Sequence, residues 1–245
     1  MLLAAALGLL VAGCGTQRAD QLLGSALVTP SVSQIAGNHA IFIATTRKRS
    51  SDPGKVFDGE RSARLNFARV NVTVPGEHKI GQIERKKRGK SDDPSKYFMA
   101  TDVTGYDTAP KFTKALDADI AARGGRVILF VHGYNTGFDD AVYRLAQIVH
   151  DAGYPGTPVL FSWASGASTT GYVYDKESAS AARDQLEVTL RMLQQSGARR
   201  IDIVAHSMGT WVTMETLRQM AISGERDLGG KLGDVVLASP DIDVD

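Results

Sequence analysis

The chain has 245 residues, of which 43% are hydrophobic, 22% charged and 7% aromatic. That composition is globular and excludes a disordered chain, a collagen-like repeat and a disulfide scaffold. A net charge of +1, from 28 Lys and Arg against 27 Asp and Glu, excludes a globally basic nucleic-acid binder.

Residues 1–13 carry no charged side chain. The run is shorter than the about 20 residues that span a bilayer, and it has the length of a signal-peptide core. It closes on Val11-Ala12-Gly13-Cys14, and Cys14 is the only cysteine of the chain. A lone cysteine has no intramolecular disulfide partner. The four residues resemble the bacterial lipobox, which implies cleavage before Cys14 and lipidation there. Several acyl chains hold a protein to a membrane where one holds it only marginally. Gly15 in place of Asp implies, by resemblance to diderm lipoproteins, the outer membrane. The alternative is a cleaved secretory signal that happens to lie beside a cysteine. A leader without Lys or Arg departs from the usual pattern and predicts an upstream start. Residues 14–38 read as a flexible tether. Residues 39–245 read as one domain.

Ala40–Thr45 predicts a strand. Leu65, Phe67, Val70, Val72 and Val74 nearly alternate as far as Pro75-Gly76. That spacing predicts a strand with one skipped register, as at a bulge. His78–Ile83 and Tyr97–Val103 predict further antiparallel strands, with the basic run from Glu84 to Lys90 between them. Residues 47–96 hold 14 Lys and Arg against 7 Asp and Glu. The basic run reads either as a solvated hairpin tip or as a contact for anionic lipid or polymer.

From residue 108 helices and strands alternate. Phe112, Leu116 and Ile120 mark an amphipathic helix that ends at Gly124-Gly125. Val127–Val131, Pro158–Trp163, Ile201–Ala205 and Val235–Ala238 are apolar strands. Helices at Phe138–His150, 176–196 and Met208–Ile222 separate them. The pattern predicts an α/β fold with a doubly wound, mostly parallel sheet, which the N-terminal strands extend.

The chemistry centres on Ala205-His206-Ser207-Met208-Gly209. A strand enters Ser207 and a helix leaves it, the context of a nucleophile elbow, with small residues two before and two after the serine. The helix N-terminus favours developing negative charge beside the hydroxyl. The other reading of Ser207 is an ordinary N-cap. The oxyanion hole of such a site takes the N–H after the nucleophile and one from an earlier strand–helix loop. The candidates are Met208 and, in His132-Gly133-Tyr134-Asn135, Tyr134. His132 and His206 read as structural rather than as bases. The loop Ser165–Tyr172 is either a surface loop or a pocket wall.

Four strings occur in order: His132-Gly133-Tyr134-Asn135, Phe161-Ser162-Trp163, Ala205–Gly209 and Ala238-Ser239-Pro240-Asp241-Ile242-Asp243. Together they resemble a bacterial group of α/β-hydrolases, a domain of unknown function in the esterase/lipase superfamily, over about residues 40–245. The resemblance implies an α/β-hydrolase fold and a Ser-dependent hydrolase without metal or cofactor. The triad order of this fold is Ser, then Asp or Glu, then His. Asp241, on the same sheet edge as Ser207, is the candidate acid, with a structural capping role as the alternative. No histidine follows Ser207. The fold is therefore expected to be C-terminally incomplete, and this polypeptide a poor catalyst as it stands. The expected function is an envelope-anchored serine hydrolase for small-molecule or lipid carboxylic esters, acting through an acyl-enzyme. The alternatives are a non-catalytic binding or scaffolding lipoprotein on a hydrolase fold, and a polymer or lipid binder that uses the basic run.

Overall fold

The computed structural model describes residues 29–52, 54–86 and 90–241. The leader and Cys14 lie outside the described residues, as do Asp243 and Asp245. In chain order the elements are β1 (Ile35–Arg49), β2 (Phe57–Pro75), β3 (Met99–Tyr106), α1 (Ala109–Ala122), β4 (Arg126–Val131) and α2 (Phe138–Asp151). Then follow β5 (Thr157–Ser162), α3 (Tyr172–Gln195), β6 (Arg200–His206), α4 (Met208–Ile222) and β7 (Leu232–Ala238). β1 begins at Ile35, so the strand reaches into the stretch read as a tether.

The seven strands make one sheet in the order β3-β2-β1-β5-β4-β6-β7. β2 is antiparallel to both of its neighbours, while every other pairing is parallel, so β2 alone runs against the rest. The carboxyl ends of the other strands therefore share one edge of the sheet, where an α/β fold builds its sites.

Both faces of the sheet are covered. Phe112, Leu116 and Ile120 of α1, Leu186, Leu190 and Leu193 of α3, and Val212 of α4 pack on Val127, Leu129, Val131, Phe161 and Ile203. On the opposite face Phe138, Val142, Leu145 and Val149 of α2 pack on Ile41, Ile43, Ile128, Phe130 and Leu160. Successive residues of β4 thus enter different layers, which is why that strand reads as a continuous apolar run. Each fully buried Leu contributes about 1.5–3 kcal/mol. Leu116 and Leu190 are completely buried, so α1 and α3 are held by packing more than by propensity. The edge strand β7 is less well covered, with Val235, Val236 and Leu237 only half-buried.

Two expectations about the first half of the chain need correction. The skipped register in β2 is a change of face. Leu65 and Phe67 pack in the layer of α1, whereas Ala68, Val70, Val72 and Val74 pack in the layer of α2. Pairing of β2 with β1 runs unbroken from Asn66 to Val74. The irregularities of β2 lie elsewhere, against β1 between Phe57 and Asn66 and at Pro75, and against β3 between Asn71 and Val72.

Residues 78–83 form no strand. Carboxylates, rather than a neighbouring strand, take up the polar groups of this segment. Asp151 Oδ2 accepts the Gly81 N–H at 2.7 Å, and Glu84 Oε1 accepts the Lys79 N–H at 2.9 Å. His78 bridges Glu84 at 2.8 Å and Asp151 at 2.7 Å. The basic run is accordingly not a hairpin tip. Its Arg85 lies over the Tyr143 ring at 4.1 Å and pairs with Asp139 at 2.6 Å, while Lys86 pairs with Asp92 at 2.7 Å. Residues 87–89 lie outside the described ones.

Candidate active site

Ser207 joins β6 to α4 at φ 49° and ψ −128°. A residue with a Cβ pays about 1–3 kcal/mol in such a region, and it persists there only where its surroundings hold it. The Ser207 N–H donates to the Ala238 carbonyl at 3.0 Å. The Ser207 carbonyl accepts the Thr210 N–H at 2.8 Å and the Thr210 hydroxyl at 2.6 Å. The backbone of the turn is thereby fixed on both sides.

The turn also requires close approach. A Cβ on Gly209 would overlap the His132 carbonyl oxygen, and one on Gly133 would lie 2.8 Å from Ser207 Cβ and 2.9 Å from the His206 carbonyl oxygen. Both glycines let the loop after β4 rest directly against the elbow. The structure thus brings Ser207, Met208 and Tyr134 together at the carboxyl edge. Neither the Met208 nor the Tyr134 N–H has a hydrogen-bond acceptor among the described residues. Two free donors beside a hydroxyl at a helix N-terminus can stabilise an oxyanion.

Asp241 is brought close by its backbone. Its N–H donates to Thr210 Oγ1 at 3.1 Å and lies 3.4 Å from the Ser207 carbonyl oxygen. Its side chain is exposed and bonds to no described residue. The Tyr134 hydroxyl donates to the carbonyls of Ser168 and Thr169, at 3.1 and 2.6 Å. The Ser165–Tyr172 loop is thereby tied to the loop after β4.

None of the five histidines hydrogen-bonds the Ser207 hydroxyl. His132 is buried and stacks on Trp163 at 4.8 Å. Burial first, and then the Arg47 charge, lower its pKa to about 3, so it is neutral at neutral pH. His206 is half-buried, with its Nδ1 against Gly133, and burial and the Arg144 charge lower its pKa. His39, His78 and His150 cluster at the opposite edge.

Sequence reasoning assigned no role to Arg47, Ser162, Ser165 or Asp175, yet all four are buried behind the site. Arg47 donates to Ser162 Oγ at 2.9 Å, to the Ser165 carbonyl at 3.0 Å and to the Thr136 carbonyl at 2.7 Å. Burial lowers its pKa to about 10, which leaves it charged at neutral pH. Asp175 accepts the Asn135 N–H at 3.0 Å, the Gly166 N–H at 2.8 Å and the Ser165 hydroxyl at 2.6 Å. The available signal was an arginine closing the apolar run of β1 and an aspartate in the first turn of α3.

Among the described residues no group of three or more His, Cys, Asp or Glu could hold a metal ion, and no helix is long and apolar enough to cross a membrane. A cleft of about 430 Å³ opens beside β1, β2 and β3, lined by Arg49, Arg64, Leu65, Phe67 and Tyr106. None of the residues grouped around Ser207 lines it.

No curated protein and no solved structure matches this chain. A family model described as an alpha/beta hydrolase of unknown function (DUF900) matches residues 108–245, which run from α1 past the elbow and β7. With more than half its length covered and a strained serine at the strand–helix turn, the chain belongs to the alpha/beta hydrolases of unknown function (DUF900).

Proposed function

We propose that the protein is a serine hydrolase for carboxylic esters, of a small molecule or a lipid. One observation carries this reading: Ser207 sits at φ 49° at the N-terminus of α4, beside two amides that have no acceptor among the described residues. The Ser207 oxygen attacks the ester carbonyl, and the Met208 and Tyr134 N–H groups receive the oxyanion. The alcohol leaves, and water then releases the acid from the acyl-enzyme. The serine proton needs a base, which the five histidines do not supply in this arrangement. We propose that Asp241 supplies the carboxylate that orients that base. The protein works in the cell envelope, at the outer membrane, held by lipid on Cys14.

The test uses the protein expressed from its own gene. A fluorophosphonate probe is expected to modify Ser207, as read by peptide mass, and Ser207→Ala is expected to abolish labelling and p-nitrophenyl ester turnover. Loss of a nucleophile costs about six orders of magnitude in a serine protease. Labelling that persists in the variant overturns the assignment. A wild-type protein that is not labelled supports the second reading, a binding or scaffolding lipoprotein. That reading is favoured by the exposed Asp241 carboxylate, which bonds to no described residue, and by the absence among the described residues of a base on the Ser207 hydroxyl. The anchor is tested separately, since Cys14→Ser is expected to release the protein from membranes.

A further inference from the structure

The peptide that joins Gly133 to Tyr134 has two ends. Its N–H belongs to Tyr134 and is the proposed oxyanion donor. Its carbonyl belongs to Gly133 and lies 2.9 Å from His132 Nδ1. The peptide unit is planar and trans, so N–H and C=O point in opposite directions. Whatever fixes the carbonyl therefore aims the N–H. Gly133 itself rests against Ser207.

The Gly133 carbonyl can only accept, so Nδ1 must carry the ring proton. Nε2 must then accept, since the buried ring is neutral and holds one proton. Two donors lie in reach of Nε2, the nearer being Ser162 Oγ at 3.1 Å and the other Arg47 Nη2 at 3.5 Å. The Ser162 oxygen receives in turn the Arg47 Nε–H at 2.9 Å. Arg47 has no acceptor capacity, so the Ser162 proton must go to the ring. The direction of every bond in the chain is thus set by its buried cationic end. The competing tautomer would place the proton on Nε2, toward the Trp163 carbonyl at 3.2 Å, and would leave the Gly133 carbonyl without a donor among the described residues. The remainder of the loop is held from the same side, by Arg47 on the Thr136 carbonyl and Asp175 on the Asn135 N–H.

We propose that Arg47, Ser162 and His132 form a directional hydrogen-bond relay that fixes the Gly133–Tyr134 peptide, so that the Tyr134 N–H is aimed at the oxyanion position beside Ser207. The proposal rests on the serine-hydrolase reading. It makes His132 a positioning residue that donates from Nδ1 and never touches the substrate.

An asparagine amide occupies the place of a histidine Nδ1–H, whereas a glutamine amide occupies the place of Nε2–H. In the protein expressed from its own gene, His132→Gln is expected to lower kcat for a p-nitrophenyl ester about 100-fold, the loss typical of one oxyanion donor. KM should stay within about twofold, because the donor acts on the transition state. His132→Asn is expected to recover most of that loss. Ser162→Ala is expected to lower kcat and the rate of fluorophosphonate labelling together. Thermal midpoints are measured for all variants, and a purely structural role would make activity follow the midpoint, with Asn no better than Gln. Equal activity of His132→Asn and His132→Gln overturns the relay, as does a loss confined to KM. Wild-type turnover that is unaffected by Ser207→Ala overturns the hydrolase reading and the relay with it. Turnover that depends on Ser207 but is indifferent to all three variants overturns the relay alone.

Discussion

The two edges of the sheet both bury charge, and they do so differently. At the amino edge, Asp202 is almost fully buried at the start of β6. It is neutralised directly, by Arg200 at 2.8 Å and Arg126 at 3.4 Å, with the Tyr154 hydroxyl at 2.9 Å and the Asp234 N–H at 2.9 Å. At the carboxyl edge, Arg47 and Asp175 are also buried but reach each other only through Ser165 and loop backbone. The first arrangement closes on itself and ties strands together. The second spends its charges on peptide groups of the loops around Ser207. Burying an unpaired charge is costly, so an ion that contacts backbone instead of a counter-ion marks a place where loop geometry matters.

The largest effect that separates the edges is expected from Gly133→Ala. Its Cβ would lie 2.8 Å from Ser207 Cβ, so either the loop or the nucleophile must move. A displacement of about 1 Å at a reacting group costs about 100-fold in rate, and overpacking costs about 1–3 kcal/mol in stability. Kinetics and thermal unfolding of the same sample check both. Wild-type kcat in a folded Gly133→Ala protein would break the claim that the carboxyl edge is built for position.

Asp202→Asn probes the other edge. It removes the charge that two arginines neutralise and leaves a buried amide with mismatched partners, at an expected cost of about 1–3 kcal/mol. Turnover should stay within about twofold while urea unfolding moves to lower concentration. A collapse of kcat in a protein that remains folded would show that the two edges are coupled.

The smallest effect concerns acid. Burial lowers the pKa of His132 to about 3 and, with the neighbouring His150 charge, that of His39 to about 4. Both groups take up protons more readily when unfolded. Their contribution is present above the unfolded pKa near 6.5 and is lost as pH falls toward the folded values. Fully buried His132 alone accounts for about 2 kcal/mol by pH 5, at 1.36 kcal/mol per unit. His78 works in the opposite sense. Burial lowers its pKa, but hydrogen bonds to Glu84 and Asp151 outweigh that and raise it. Its contribution is present below the unfolded pKa and is lost as pH rises through the folded one. The thermal midpoint is therefore expected to fall between pH 7 and pH 5. The destabilisation caused by His78→Gln is expected to be greater at pH 5.5 than at pH 8.5. A flat profile for wild type would remove the contrast between the neutral and the bridged histidines.

The parallel half of the fold was legible because its runs are buried on both faces and its helices carry clean apolar stripes. Val127–Val131 and Met208–Ile222 fall where their patterns place them. The nucleophile turn was legible because a tight turn restricts its flanking residues, and Gly209 has the reason expected of it. The segment 78–83 was misread because its alternation resembles a strand, while its N–H groups bond to Asp151 and Glu84, which are remote or out of pattern. Arg47 and Asp175 were invisible for a related reason. Arg47 bonds peptide groups and a serine 89 to 118 residues away, Asp175 ties Asn135 from 40 residues away to its nearer partners Ser165 and Gly166, and a single charged residue carries no spacing that announces it.

The tie between β7 and the elbow has a mechanical side. Ser207 N–H hangs on Ala238, and the Asp241 N–H reaches Thr210 Oγ1, which in turn grips the Ser207 carbonyl. Tension applied along the chain behind β7 would be delivered to the nucleophile's own peptide groups before it reached the core. A bulky fusion attached there would lever on the turn, whereas one at the amino-terminal side would pull on β1, a long strand paired on both sides.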